Sequence, residues 1–258
     1  MSAMIQPQRS RPPLAKPKIK LALGVKRKLS RQNDPDADIA EAAFQEMRPR
    51  VLMRDKCTCQ ACGFVSYQDK QAPGGFLEVH HIDDDHHNST PNNLVTLCPF
   101  CHQVFTLGRR GDSFGGRLIW LPEMTQETLN ILCHAMYAVM YIHNDEEIKL
   151  SDEEQESTAK IYDLHSALSD LCTQRLHAVY ADVQYFESIE TLYSALSGLT
   201  MKEYERRNLF MGGVRILPDF AHFQEHIAFW AKNVWLKGVP PGNWASIVNQ
   251  VEKALLNV

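Results

Sequence analysis

The chain has 258 residues, 44% of them hydrophobic and 22% charged, and a formal net charge of −4 at pH 7. That composition fits an ordinary soluble globular core. Its longest near-apolar stretch, Ile131 to Ile142, is interrupted by His134 and falls short of the roughly 20 residues a membrane span requires. The first 20 residues are basic and Pro-rich, without the apolar core and small-residue cleavage site of an export signal, so a cytoplasmic setting is expected. Seven cysteines, an odd number, then read better as metal ligands than as a disulfide framework.

Charge is unevenly spread. Residues 1–33 hold nine Lys or Arg and no acid, which leaves the remainder at −13. Residues 1–37 are therefore read as a basic arm, expected to be flexible because Pro-rich basic composition cannot build a core of its own. Such an arm suits nucleic acid, anionic lipid or an acidic protein face.

Residues 38–108 form a second region, rich in Cys and His. Its first helix is predicted over Ile39 to Met53, with carboxylates early and Arg48, Arg50 and Arg54 late, an order that suits the helix dipole. Cys59-Gln-Ala-Cys62 and Cys98-Pro-Phe-Cys101 follow as two pairs, each separated by two residues. This spacing turns both thiolates of a knuckle toward one ion, and two knuckles complete the tetrahedron that zinc prefers. Cys57 lacks a partner at that spacing and is set aside, as are Cys133 and Cys172 on apolar faces. Between the knuckles, Leu77 to Asp83 and Asn93 to Cys98 read as two short strands around a polar loop, with a helix starting near Pro99, which gives a ββα unit.

Residues 109–258 are predicted to be helical. Thr125 caps a helix whose Leu129, Leu132, Met136, Val139 and Met140 form one stripe. Ser151 and Glu154 make a capping box before a helix with Ile161, Leu164, Leu168 and Leu171 on a face, and Thr200 and Glu203 repeat the box after Gly198. The run of acids from Asp145 to Glu156 is read as a solvated loop and helix start. Pro218 precedes an amphipathic segment bearing Phe220, Phe223, Ile227, Trp230 and Val234; Pro240, Pro241 and Gly242 end it, before a terminal helix from about Asn243. The fold class is thus α+β, mostly helical.

Arg54-Asp55, Val79-His80-His81-Ile82, Asn93-Leu94-Val95 and Leu97-Cys98-Pro-Phe-Cys101-His102 together resemble the HNH endonuclease family with four Cys zinc ligands, over about residues 40 to 106. The resemblance implies His81 as general base, His80 and His102 as ligands of a second, catalytic ion such as Mg2+ or Mn2+, and Asn93 as a staple of the loop. Such an ion would polarise a phosphate oxygen while a neutral imidazole takes a proton from water. Many family members carry a further His where this chain has Thr106, which leaves His86, His87 or the Asp83 to Asp85 run as candidates for a third ligand.

A second resemblance reaches further. Gly115 to Asn130, with Leu132-Cys133-His134, and Val214-Arg-Ile-Leu-Pro218 with the Phe223 to Trp230 segment, are similar to the DotN family, also called IcmJ, of type IVB secretion and conjugation systems. It implies a cytoplasmic adaptor, peripheral to the inner membrane, that binds the type IV coupling ATPase and helps recruit substrates, with zinc as a structural element. The alternatives are a metal-dependent DNA endonuclease, with the basic arm supplying salt-sensitive phosphate contacts, and a non-cleaving nucleic-acid-binding zinc protein.

Overall fold

The protein is described here by a computed structural model covering residues 19–27, 34–66, 74–108, 114–145, 147–181 and 188–235, together with residue 249. It is α+β and mostly helical, with two small antiparallel sheets.

Helix α1 spans Ala37–Arg54, slightly longer at both ends than its predicted range, and runs through Pro49. Its last residue forms a buried fork-to-fork pair with the next: Arg54 Nε and Nη2 each donate to a different carboxylate oxygen of Asp55 at 2.7 Å. Arg54 also donates to the carbonyls of Pro91 and Leu94, and Asp55 accepts from the Thr96 amide. The end of α1 is thereby bolted to strand β2 (Leu94–Leu97), which pairs with β1 (Glu78–His81) in the register Glu78–Leu97, Val79–Thr96, His80–Val95 and His81–Leu94. Helix α2 (Pro99–His102) follows and continues as a 3-10 turn over Gln103–Phe105. The expected ββα unit is present.

The predominantly helical region after residue 109 also holds two strands that its sequence did not announce. Strands β3 (Gly116–Trp120) and β4 (Val214–Pro218) pair antiparallel across almost a hundred residues of chain. Both segments are short and rich in β-branched or aromatic residues, a composition that leaves strand and buried helix hard to separate until the partner is known. At Gly116 an added Cβ would come within 2.7 Å of the Leu217 carbonyl oxygen, so the pairing requires glycine there.

The helices are α3 (Gln126–His143), α4 (Asp152–Val179), α5 (Ile189–Gly198), α6 (Met201–Glu205), α7 (Asn208–Met211) and α8 (Gln224–Trp230). Thr125 caps α3, and reciprocal capping boxes open α4 at Ser151 and α6 at Thr200, as their spacings predict. The amphipathic segment after Pro218 is shorter than expected: Phe220 precedes α8, and a π turn takes over at Ala231–Trp235. The predicted break at Pro240 to Gly242 and the terminal helix lie outside the described residues.

A correction concerns the basic arm. Residues 19–27 are not a solvated tail: Leu21, Leu23 and Val25 are buried in the core. Gly24 donates to the Val104 carbonyl at 2.9 Å and accepts from the Leu107 amide at 3.0 Å. Val25 exchanges two hydrogen bonds with the Tyr204 hydroxyl, and the guanidinium groups of Arg27 and Arg207 lie 4.6 and 4.1 Å from the centre of that ring. Lys26 pairs with Asp84, and the Arg27 amide donates to the same carboxylate. Alternate apolar residues bury this segment between the two halves of the molecule, and two of its cations are engaged internally.

One hydrophobic core joins the halves. At its centre the His134 ring stacks between Phe64 (3.9 Å) and Phe100 (4.2 Å), with Trp230 edge-on at 4.7 Å. Neither ring nitrogen of His134 has a hydrogen-bond partner among the described residues, and burial pulls its pKa down to about 3.

Two outcomes follow for stability. Leu23→Ala should cost about 2–4 kcal/mol in denaturant unfolding, where a solvated tail residue would leave stability unchanged. His134 is neutral when folded and titrates near 6.5 when unfolded, so its contribution is present above pH 6.5 and is lost as pH falls toward 3. Over that window His134→Phe should flatten the acid side of the stability profile by one proton, about 1.4 kcal/mol per pH unit; equal slopes in both proteins would contradict this.

Candidate metal centre

The first knuckle is shaped by a tight turn. Gly63, at φ +80°, donates its amide to the Cys59 carbonyl at 3.0 Å, and the Cys59 amide donates to Phe64 at 2.8 Å. The left-handed backbone there favours glycine. Gln60 donates to the Thr96 carbonyl, which fastens this knuckle to β2. The second knuckle is the start of α2: Cys98 is extended, Pro99 takes the first helical position, and the amides of Cys101 and His102 both return to the Cys98 carbonyl.

The two turns bring the sulfurs of Cys59, Cys62, Cys98 and Cys101 within 4.8 Å of one another. Two sulfurs bound at about 2.3 Å to one tetrahedral zinc would stand about 3.8 Å apart, and Cys62 and Cys98 are separated by 3.7 Å. The electrostatics also call for a cation. Burial, followed by the neighbouring sulfurs, pushes Cys98 and Cys101 well above the ordinary thiol range, whereas hydrogen bonds from the other three hold Cys59 low. Four thiolates packed this closely require a dication among them. The donor set fits zinc. Cys57 lies outside the cluster, and Cys133 and Cys172 are buried apart from it.

Sequence reasoning missed the groups behind the sulfurs. The Asn130 amide of α3 donates to Cys101 Sγ at 3.2 Å, and Gln126 Nε2 donates to Asn130 Oδ1 and to the Ile216 carbonyl, both at 2.8 Å. Gln126 Oε1 in turn accepts from the Ile216 amide, so this side chain acts as a further strand at the free edge of β4. Their buried i, i+4 spacing on a largely apolar helix was the available signal.

His80, His81 and His102 border a cleft beside β1, together with Lys26, Arg48 and Asp84. Asn93 fastens the loop between the strands: it accepts from the Asp83 amide and donates to Asp83 Oδ1 and the Asn88 carbonyl at 2.8–3.0 Å. His80 stacks on Phe105, and its ring centre is 5.3 Å from that of His102. Burial, aided by the nearby His102, brings His80 down to about 3. His102 Nδ1 meets Glu78 Oε2 at 2.6 Å, while His81 Nε2 lies 3.3 Å from Ser89 Oγ. Among the described residues, neither His80 nor His102 belongs to a group of three converging metal donors, and His86 and His87 gather elsewhere, around Asp34.

The family model of the HNH endonuclease matches residues 59–104, the segment that holds all four cysteines and the cleft histidines. Over 193 residues the chain is 33% identical to the Type 4 apparatus protein DotN of Legionella pneumophila, a likeness that takes in 73% of this chain and 79% of the relative. The chain belongs to the DotN family. Within it, the HNH-like unit of this DotN homologue is continuous with the helices: Phe100 of α2 packs against Tyr137, Phe223 and Trp230. Among the described residues no helix is long and apolar enough to cross a membrane.

Removing the hydrogen bond to the sulfur should weaken metal binding while leaving all four ligands in place. Asn130→Ala is expected to lower zinc affinity about 10–100-fold in competition with a chelator of known affinity; an unchanged affinity would show that the contact does not tune the site.

Proposed function

We propose that this protein is a component of a Dot/Icm type IV secretion apparatus, in which it serves as a zinc-containing scaffold that binds the coupling ATPase and helps present substrates to it. The observation that carries this reading is the extent of the likeness to DotN: 193 residues, against the 46 of the HNH match. A likeness of that length takes in elements that an isolated nuclease module lacks. Zinc on the four cysteines holds the module rigid, and the protein works at the cytoplasmic side of the inner membrane through its partners.

The cleft supports the same reading. Glu78 engages His102, and among the described residues no third donor converges with His80 and His102 to hold a catalytic cation. Lys26 and Arg27, the arm's described cations nearest the cleft, are engaged with Asp84 and Tyr204 and so supply little free charge for a duplex. Purified protein with Mg2+ or Mn2+ should therefore leave plasmid DNA intact. Cleavage that disappears in His81→Ala would favour the endonuclease reading instead.

For the partner surface, Leu209 and Phe210 on α7 are exposed by 83% and 48%. Side by side, they give this short helix an apolar face for a partner to cover. The double substitution Leu209→Asp and Phe210→Asp should weaken capture of the coupling ATPase by about tenfold or more without lowering the melting temperature. Undiminished capture would place the contact elsewhere.

A further inference from the structure

Away from the cysteines, a second set of metal-binding side chains converges. Asp34 lies just ahead of α1, and His86 and His87 sit in the β1–β2 loop; their donor atoms lie within 4.8 Å of one another. His87 Nε2 is 2.7 Å from Asp34 Oδ2, and His86 Nε2 contacts the same oxygen. The other carboxylate oxygen, Oδ1, accepts from the Asp36 amide at 3.0 Å, which aims Oδ2 at the two imidazoles. The loop is held from its own side: the His87 amide donates to Asp85 Oδ1 at 3.0 Å, Asn88 donates to the Asp85 carbonyl, and Asn93 fixes Asp83 and Asn88.

We propose that Asp34, His86 and His87 form a second metal site, distinct from the four-cysteine site and from the histidine cleft, for a divalent first-row transition ion of the zinc class. Two neutral imidazole nitrogens and one carboxylate oxygen are a donor set such ions accept, with water completing the shell. The burial pattern matches that division. The Asp34 and His86 side chains are 3% and 1% exposed, and that of His87 is 44% exposed, so one side of the site is open to water. An oxygen- and nitrogen-bound ion with an open side exchanges more readily than one enclosed by four thiolates. It would also couple the start of α1 to the loop whose Asp84 carboxylate receives Lys26 and the Arg27 amide. Metal at this position thus sets how firmly the N-terminal segment, α1 and the β1–β2 loop hold together.

The bland alternative is a hydrogen-bonded carboxylate between two histidines, with no ion. The test is the zinc content of the full-length protein, dialysed against buffered micromolar free zinc, compared with His87→Ala and Asp34→Ala. The wild type should hold one equivalent more than either variant. Resistance of the thiols to a thiol reagent reads the four-cysteine site separately in each protein, so failure of that site is told apart from failure of this one. His87 is half exposed and its replacement leaves the core intact, which guards the comparison against misfolding. Equal zinc contents in wild type and His87→Ala would overturn the proposal, whatever the absolute count.

Discussion

Four sulfurs gathered in a dry interior set the terms for the rest of this molecule. Cys59, Cys98 and Cys101 are buried, and Cys62 is partly so. Thiolates at such spacing repel one another in a medium that screens little, and a dication among them offsets that repulsion. With zinc in place the same burial becomes an advantage, because ligand exchange with water is suppressed and metal-binding free energy becomes folding free energy. The turn at Gly63 and the Pro99 helix start exist to hold that geometry.

The surrounding layers depend on the cysteine unit in turn. A line of hydrogen bonds runs from Cys101 through Asn130 and Gln126 to the Ile216 backbone, so the sheet of β3 and β4 is fastened to the metal-binding knuckle through α3. Trp230 of α8 donates its indole N–H to the Gly75 carbonyl and packs on Phe64 beside the first knuckle. The N-terminal segment crosses from Val104 to Tyr204 and joins both halves with its buried apolar residues. A nuclease-like fold has here become the keystone of a larger body, in keeping with a scaffold.

The parts of this arrangement that were legible in the sequence are those governed by local rules. Knuckle spacing located the four cysteines, capping boxes located the starts of α4 and α6, and the Asn93 staple followed from the HNH resemblance. What escaped was non-local. Nothing near Gly116 announces that its partner is Pro218, and a β-rich run of five residues has no period long enough to distinguish strand from helix. In the N-terminal segment basic residues dominate the composition, while burial rests on the alternation of Leu21, Leu23 and Val25, which only a receiving groove makes meaningful. Asn130 and Gln126 were hidden by their setting in an apolar helix. Asp34 is 52 residues from His86, and no spacing rule links them.

If the zinc clamp is the keystone, its removal must be felt far from the cysteines. The most direct measurement is backbone hydrogen exchange with and without a zinc chelator, read in α3 and α8. The account predicts that protection around Asn130 to His134 and Ile227 to Trp230 collapses together with that of the two knuckles when zinc is withdrawn. Retained protection in α3 and α8, with exchange confined to the knuckles themselves, would contradict it.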